Sequence, residues 1–394
     1  MAGKSGNEEK MKIGITCYPT YGGSGAVATE LGLGLARRGH EVHFISYAQP
    51  FRLTQFIDGV YFHEVEVNRY PLFEYPPYSL ALAVTMHEVT RREGLDLLHV
   101  HYAIPHATAG WIARDMLRAA GGDVKLVTTL HGTDITLVGQ DPSYRSITRF
   151  SIEKSDRLTA VSGWLRDRTH RDFECDRCAI DVIPNFVDPD VYDRERYRER
   201  HRLAGPGEKV VMHISNFRAV KRIPDLIEMF ARIRHEVPAR LVLVGDGPER
   251  QRAEELAAEL GISGAVVFLG KFDSVADLLA NADLFLLPSE QEAFGLVALE
   301  AQASGVPVVG SSGSGLDEVI EDGATGYLHP VGSVDAMARS AVSLLTDGVL
   351  WTGFSREARQ RAVEHFALDR IVPRYEALYR NVLGLDDASG VSAA

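Results

Sequence analysis

Short apolar runs rich in β-branched residues alternate with longer helical stretches along most of the chain. In the first half, the predicted strands cover residues 11–17, 41–46, 60–65, 95–100, 124–130, 158–161 and 180–183. Because these runs are continuously apolar, we expect strands that are buried on both faces, which is typical of a parallel sheet covered by helices. The sequence therefore predicts an α/β fold.

A polar segment, residues 184–208, interrupts this alternation and is interpreted as a linker with a short charged helix. A second set of predicted strands follows, at residues 210–215, 240–245, 266–269, 284–287, 306–309 and 326–328. We expect two Rossmann-like, doubly wound parallel-sheet domains, at 11–186 and 187–364, facing each other across a cleft. A helix at about 365–385 is expected to pack back on the first domain. In such sheets, ligands bind at the carboxyl ends of the strands.

Composition limits the classes of partner. The chain has 394 residues, 24% of them charged, and a formal net charge of −12, which disfavours nucleic acid or an anionic membrane as the main partner. No apolar run approaches the roughly 20 residues that span a bilayer. The first ten residues are polar and lack the apolar core of a signal peptide. We therefore expect a cytoplasmic protein, with a homo-oligomer left open.

Two short motifs are similar to metal sites but are interpreted otherwise. Cys175 and Cys178 form a lone C-x-x-C without the second ligand pair of a closed zinc site, so we interpret them as two unrelated thiols. Asp188 and Asp190 form a D-x-D around a proline, which is typical of a turn. The sequence therefore predicts no metal site.

The glycine-rich turn YGGSG, at residues 21–25, follows the first predicted strand and opens a helical stretch. Its glycines and Ala28 fit the dinucleotide-binding pattern G-x-G-x-x-G/A. A dinucleotide site also needs an acidic residue at the end of the second strand, whereas Glu41 opens that strand instead of closing it. The turn is typical of a phosphate site, but the missing acidic residue argues against a nicotinamide-dependent dehydrogenase.

A second segment, residues 289–320, carries two glutamates, Glu292 and Glu300, separated by seven residues. Gly295 lies between them and opens a predicted helix. A helix N-terminus presents free N–H groups and the positive end of the helix dipole, so it suits a diphosphate. Carboxylates that flank a phosphate site suit sugar and ribose hydroxyls. For an isolated pair, a solvated helix residue would be the favoured interpretation of Glu300.

This segment resembles the E-x7-E signature of the retaining family-4 glycosyltransferases, which have the GT-B fold. The resemblance extends over nearly the whole chain through GGSG (22–25), TTLHGTD (128–134), IPNFVD (183–188), NFRAVKR (216–222), LVGDGPE (243–249) and GVPVVG (305–310). It implies a UDP-sugar-dependent transferase with two Rossmann-like domains.

The resemblance also implies roles for single residues. Glu300 would hold the ribose of UDP, Glu292 would hold a donor-sugar hydroxyl, and His131 would lie beside the transferred sugar. The further donor-binding residues that it implies are Gly23, Ser24, Gly25, Asn185, Phe294, Gly295 and Leu296.

Two basic residues, Arg218 and Lys221, are assigned to the diphosphate and complete the predicted catalytic set with His131 and Glu292. The family usually has arginine five residues before the lysine, where this chain has Asn216. Lys221 and Arg222 could therefore exchange roles. With cationic side chains and a helix end at the leaving group, we expect no metal cofactor.

Several stretches are similar to one subfamily of these transferases: GITCYPTYGGSGAVATELG, FHEVEVNRYPLFEYPPY, HVHYAIPHA, TTLHGTDITLVGQDPS and ISNFRAVKRIPDLI. Members of that subfamily transfer N-acetylglucosamine from UDP-N-acetylglucosamine (UDP-GlcNAc) to the hydroxyl of L-malate, with retention, at the start of bacillithiol biosynthesis. Malate is a small dianion, so its pocket needs donors and a fixed cation. The matching positions are Ser24, Tyr102, Thr128 and Arg149.

Other interpretations stay open from the residues alone. Arg149 could be a surface arginine, and Tyr102 could be packed in the core. A related transferase with an inositol phosphate or lipid acceptor, or a non-catalytic sugar-nucleotide sensor, would share much of this pattern.

Overall fold

The computed structural model describes residues 10–19, 22–53, 56–67, 71, 74–176 and 178–386. The chain divides into an N-terminal unit, Met1–Ile183 with Ile371–Ala394, and a C-terminal unit, Pro184–Arg370. The expectations for residues 1–9 and for Tyr21 of the glycine-rich turn lie outside the described residues.

The N-terminal unit contains a sheet of parallel strands. These are β1 (Lys12–Thr16), β2 (Glu41–Ser46), β3 (Val60–Glu64), β4 (Leu97–His101), β5 (Lys125–Leu130), β6 (Arg157–Ala160) and β7 (Ile180–Val182). Their order is β3-β2-β1-β4-β5-β6-β7, and each neighbouring pair is parallel. The predicted strands are confirmed, and β1, β2, β4 and β5 are buried along nearly their whole length, as expected. The expected burial on both faces is wrong for β3, which lies at the edge of the sheet and is partly exposed.

Helices connect these strands. They are α1 (Gly23–Arg37), α2 (Tyr78–Glu93), α3 (Thr108–Ala119), α4 (Thr133–Thr136), α5 (Pro142–Lys154) and α6 (Gly163–Phe173). Local chemistry sets two of their starts. Asp141 accepts a hydrogen bond from the N–H of Ser143 at 2.8 Å ahead of α5, and Ser162 caps α6 through the N–H of Leu165 at 3.0 Å.

The C-terminal unit repeats the same plan with a different sequence. Its strands are β8 (Lys209–Ser215), β9 (Ala239–Gly245), β10 (Val266–Gly270), β11 (Leu284–Leu287), β12 (Val308–Ser311) and β13 (Gly326–His329), in the order β10-β9-β8-β11-β12-β13. Its helices are α7 (Ile223–Glu236), α8 (Arg250–Glu259), α9 (Ala276–Ala280), α10 (Leu296–Ala303), α11 (Leu316–Val319), α12 (Val334–Thr346) and α13 (Gly348–Phe366). All its strand pairs are parallel.

Strand order reverses once in each sheet. In the N-terminal unit the reversal lies between β1 and β4, and in the C-terminal unit it lies between β8 and β11. The loops that leave the carboxyl ends of these paired strands run to opposite faces of the sheet, which opens a crevice there. The predicted fold class, two Rossmann-like parallel sheets with helices, is confirmed.

The last helix, α14 (Leu368–Leu383), begins in the C-terminal unit and continues in the N-terminal unit. The Tyr379 hydroxyl lies 2.7 Å from Nδ1 of the buried His99. Glu376 accepts a hydrogen bond from Arg38 at 2.6 Å and lies 2.9 Å from His40 Nε2. These polar contacts fix α14 on the N-terminal unit.

The two metal-like motifs are structural. Cys175 and Cys178 are joined by a disulfide, so their interpretation as unrelated thiols is wrong. A turn after α6, in which the N–H of Cys178 donates to the carbonyl of Cys175, brings the two Cα atoms to 5.5 Å, within disulfide range. The carboxylate of Asp188 accepts the N–H of Asp190 at 3.0 Å, which confirms a turn.

No helix in the described part of the chain is both long and apolar enough to cross a membrane. Within the same ranges, no group of three or more His, Cys, Asp or Glu side chains is arranged to hold a metal ion.

We predict that Glu376→Gln lowers the free energy of unfolding of the N-terminal unit by about 1.5–3 kcal/mol at neutral pH, because it weakens charge-assisted hydrogen bonds in a buried place. Burial raises the pKa of Glu376, but the bonds from His40 and Arg38 outweigh it and lower the pKa overall. A lowered pKa means that the stabilisation is present above the ordinary carboxyl range and is lost as the pH falls through the folded value.

Urea unfolding of native and variant protein at several pH values measures this effect. The difference should shrink at acidic pH. The exposed Glu88 on α2 gives the matched control, since Glu88→Gln should leave stability nearly unchanged. A constant difference between pH 7 and strongly acidic pH would contradict the prediction.

Candidate active site

The reversal of strand order in the N-terminal unit brings the glycine-rich loop next to the end of β4. The loop after β1 enters α1 at Gly23, and Ser24 lies in its first turn. Gly25 is buried, and its carbonyl accepts the Thr29 hydroxyl at 2.7 Å. The Tyr102 hydroxyl donates to Ser24 Oγ at 2.9 Å. Two of the residues predicted to bind the acceptor are therefore in direct contact.

Tyr102 has a strained backbone, with φ at +91°. This conformation costs a non-glycine residue about 1–3 kcal/mol and is found mostly at functional positions. The N–H of Tyr102 donates to the carbonyl of Thr129 at 2.9 Å, and its hydroxyl donates to Ser24. One hydrogen bond of the backbone and one of the side chain therefore stabilise the strained conformation. Burial raises the pKa of Tyr102 above its usual range, so its hydroxyl remains a hydrogen-bond donor.

Asp134 ties the ends of β4 and β5 together. Its buried carboxylate accepts the backbone N–H groups of Ala103 at 3.0 Å, His131 at 3.2 Å and Gly132 at 3.0 Å. Burial raises the pKa of Asp134 to about 6, although these hydrogen bonds lower it. Sequence reasoning missed this role of Asp134. The signal was its place as the last residue of the HGTD motif, directly after a buried strand.

His131 is a neutral imidazole at physiological pH. Burial lowers its pKa to about 3, and His106 adds to this shift. Its Nε2 lies 2.8 Å from Nδ1 of His101, and its ring centroid lies 5.3 Å from that of Tyr102. His131 is therefore able to donate or accept a hydrogen bond, but it is not a proton carrier near pH 7.

Thr128 and Arg149 have other partners among the described residues. Thr128 is buried, and its hydroxyl pairs with that of Ser155 at 2.7 Å. Arg149 lies on α5 with a side chain that is 46% exposed, and it forms ion pairs with Glu153 at 2.9 Å and Glu174 at 3.7 Å. Their roles toward an acceptor stay predictions.

In the C-terminal unit, the strand reversal brings a basic turn against the first glutamate. A 3₁₀ turn at Ala219–Lys221 follows β8, and Lys221 Nζ lies 2.6 Å from Glu292 Oε1. The Ser289 hydroxyl donates to the same oxygen at 2.8 Å. A backbone bond from Glu290 to Val220 at 2.8 Å holds the two loops together.

The neighbouring basic residues have different surroundings. Arg218 is exposed at the start of the turn. Arg222 donates to Asp225 on α7 at 2.7 Å. Lys221 thus pairs with Glu292 whereas Arg222 pairs with a helix residue, and which of the two contacts the diphosphate stays a prediction. Asn185, also predicted to bind the donor, is buried, and its Oδ1 has no partner among the described residues.

The start of α10 lies directly after Glu292. Gly295, with φ at +88°, precedes the helix, and Leu296 is its first residue. The ring of Phe294 is buried against Phe366, with centroids 5.7 Å apart. These contacts fix a helix N-terminus next to the Lys221–Glu292 pair, as the sequence predicted, where an anion is stabilised.

Glu300 lies further along α10 and is buried, so a solvated helix residue is excluded. The Tyr192 hydroxyl donates to Glu300 Oε1 at 2.6 Å. Arg359 in turn donates to the carbonyls of Tyr192 at 2.7 Å and Pro189 at 3.0 Å. Sequence reasoning missed Tyr192, because it lies in the polar segment interpreted as a linker.

Comparison with known proteins identifies the class. Residues 21–191 match the family model of Glycosyltransferase Family 4, and residues 193–364 match that of Glycosyl transferases group 1. Together with the two Rossmann-like sheets, these matches and the relatives below show that the chain belongs to the family-4 glycosyltransferases of GT-B architecture, and is a sugar-transferring enzyme.

One relative is similar along almost its whole length. The N-acetyl-alpha-D-glucosaminyl L-malate synthase of Bacillus anthracis is 50% identical over 384 residues, which cover 97% of this chain and 99% of the relative. The D-inositol 3-phosphate glycosyltransferase of Nocardia farcinica is 32% identical over 78% of this chain and 73% of its own.

The fold has a solved counterpart in the HepE protein of Anabaena, whose crystal structure holds UDP and glucose. It superposes with a TM-score of 0.74 at 22% identity and covers 93% of this chain and 99% of its own. At this identity, the likeness concerns the fold.

We predict that Gly295→Ala destabilises the C-terminal unit by at least about 1–2 kcal/mol, the cost of a left-handed conformation for a residue with a side chain. The added Cβ would also lie 2.6 Å from Leu316 Cδ1. Thermal unfolding measures the loss. Gly353→Ala is the matched control, since Gly353 lies inside α13 with open space around it and should gain about 0.5–1 kcal/mol. Equal midpoints for the two variants would contradict the prediction.

Proposed function

We propose that this protein transfers N-acetylglucosamine from UDP-GlcNAc to the hydroxyl of L-malate, with retention of the anomeric configuration. The observation that carries the proposal is the 50% identity, over 97% of the chain, to a protein named for that product. The neutral donor groups in the N-terminal unit and the paired charges in the C-terminal unit support it.

The C-terminal unit supplies the donor-binding groups in this proposal. Glu300, held by Tyr192 through Oε1, is suited to accept ribose hydroxyls. Glu292 is suited to accept a sugar hydroxyl, while Lys221, Arg218 and the start of α10 face the diphosphate. Because Lys221 is already within 2.6 Å of Glu292, the ammonium is oriented before the donor binds.

The N-terminal unit supplies the groups for the acceptor. The hydroxyls of Ser24 and Tyr102 are linked to each other, so one proton of the pair remains available for a carboxylate of malate. None of Ser24, Tyr102 and neutral His131 carries a positive charge. A dianion therefore needs a cation from elsewhere, and we assign that part to Arg149, which would have to exchange its exposed partners.

The reaction breaks the bond between the anomeric carbon and the β-phosphate oxygen and forms a bond from that carbon to the malate oxygen. In the mechanism that we propose, malate attacks on the face that the diphosphate leaves, through an oxocarbenium-like transition state. The departing β-phosphate takes the malate hydroxyl proton. The protein contributes positioning and charge stabilisation, because a pKa of about 3 makes His131 too weak a base to take the malate proton.

The experiment that tests the function offers the purified protein UDP-GlcNAc with L-malate, L-lactate or inositol 3-phosphate and measures UDP release. The product mass identifies the acceptor. We expect release with malate and little with the other two. The similarity to D-inositol 3-phosphate glycosyltransferases makes the third acceptor the informative rival. Release with inositol phosphate but not with malate would overturn the proposal.

We predict that turnover survives exhaustive dialysis against EDTA. Lys221, Arg218 and the N-terminus of α10 supply the positive charge that a divalent ion would otherwise provide at the leaving diphosphate. Steady-state rates before and after dialysis, with and without added Mg²⁺ or Mn²⁺, measure this. A loss of activity that either ion restores would contradict the prediction.

We predict that Arg149→Ala raises the KM for L-malate strongly and changes UDP-GlcNAc binding little. Loss of a bidentate partner leaves a carboxylate of malate without its cation, so the acceptor binds more weakly. The variant should also discriminate less between malate and lactate. Initial rates over a malate series measure the effect.

Arg118→Ala is the matched control for this change. Arg118 is 48% exposed and pairs with Asp123 at 2.9 Å, so its surroundings resemble those of Arg149. Its loss should leave both KM values unchanged. Native malate kinetics in Arg149→Ala would show that the dianion is held elsewhere.

A further inference from the structure

A group of four histidines surrounds the ends of β4 and β5 in the N-terminal unit. His99 and His101 lie on β4, His106 lies shortly after it, and His131 follows β5. Burial lowers the pKa of His99 and His131 to about 3 and that of His106 to about 4, and it lowers the pKa of His101 well below the ordinary value. All four rings are therefore neutral, and each carries one N–H.

The ring of His101 is held on both sides. It lies 4.5 Å from the ring of His99 and 5.0 Å from that of His131, measured between centroids. Its Nδ1 lies 2.8 Å from His131 Nε2. One of these two nitrogens must carry the proton of that bond, and the other must accept it.

The surroundings of His101 Nε2 decide whether His101 Nδ1 or His131 Nε2 carries the proton of this bond. His101 Nε2 is buried and has no hydrogen-bond partner among the residues that the structure describes. If Nε2 carried the proton, a donor would be buried unpaired, which is rarer in proteins than an unpaired acceptor. His106 shows the same preference, since its Nδ1 faces the carbonyl of His101 at 2.5 Å and must donate, which leaves its buried Nε2 bare.

We propose that His101 is a positioning residue that donates its Nδ1–H to His131 Nε2 and so fixes His131 in the tautomer that carries its proton on Nδ1. The N–H at Nδ1 is then the polar group that the His131 ring offers to a ligand oxygen, because Nε2 is occupied. The ring of His131 is only partly buried, and Nδ1 has no protein partner within the described ranges. The ligand assignment rests on the proposed function, in which this N–H faces an oxygen of the transferred sugar.

The tautomer is measured directly, without substrate. The full-length protein is labelled with ¹⁵N at the histidine side chains, and the His131 signals are assigned by comparison with His131→Gln. Nitrogen shifts distinguish a protonated ring nitrogen from a bare one. We expect a protonated Nδ1 and a bare Nε2. A protonated Nε2 would overturn the proposal, whether or not the protein transfers sugar.

Two variants of His101 separate positioning from packing. In His101→Leu the donor is lost, so the His131 signals should become those of mixed tautomers, and kcat should fall roughly 10-fold or more, as when partners that orient a functional histidine are removed. In His101→Asn, the side-chain amide places an N–H near the position of the lost Nδ1–H. This variant should restore the native tautomer and most of kcat.

The transfer assay and the tautomer measurement distinguish a failure of the proposed function from a failure of the positioning role. If native protein shows no transfer to malate but His131 has the expected tautomer, the proposed function fails and the tautomer assignment stands. If His101→Leu folds, keeps the native tautomer and keeps native kcat, the positioning role is wrong. If that variant does not fold, the native spectrum and His101→Asn decide the question.

Discussion

The reversal of strand order at the centre of each sheet is the constraint on which both candidate sites depend. All strands of a parallel sheet end at the same edge, and at the reversal the following loops leave in opposite directions. In the N-terminal unit, this places Ser24 after β1 beside Tyr102 after β4. In the C-terminal unit, it places Lys221 after β8 against Glu292 after β11. The same topology thus creates two sites of different chemistry.

The difference between the two sites is one of charge. In the N-terminal unit, burial keeps His131 neutral and Tyr102 protonated, so the groups at the reversal are neutral hydrogen-bonding groups. In the C-terminal unit, the ammonium of Lys221 and the carboxylate of Glu292 form an ion pair at 2.6 Å next to a helix N-terminus. In the proposed function, Lys221 and the helix N-terminus face the diphosphate, whereas the cation for malate would come from the exposed ion pair of Arg149.

Buried polar groups hold the N-terminal site in shape. The Asp134 carboxylate accepts hydrogen bonds from three backbone N–H groups at two neighbouring strand ends. The same side chain therefore stabilises the position of His131 and the backbone next to Tyr102. His101 adds a second support from the ring side. Because unpaired buried polar groups are costly, each of these bonds restricts the site to one arrangement.

The strands, the two parallel sheets and the helix that begins after Gly295 follow from the sequence itself, because continuous apolarity, caps and glycines act on neighbours along the chain. The E-x7-E spacing likewise placed Glu292 and Glu300 around that helix start. The supporting partners were set by tertiary structure alone: Ala103 for Asp134, 31 residues away, Tyr192 for Glu300, 108 residues away, and Tyr379 for His99, 280 residues away. A local sequence pattern does not predict such partners, because two residues far apart in the sequence form a hydrogen bond only after their strands and helices have packed.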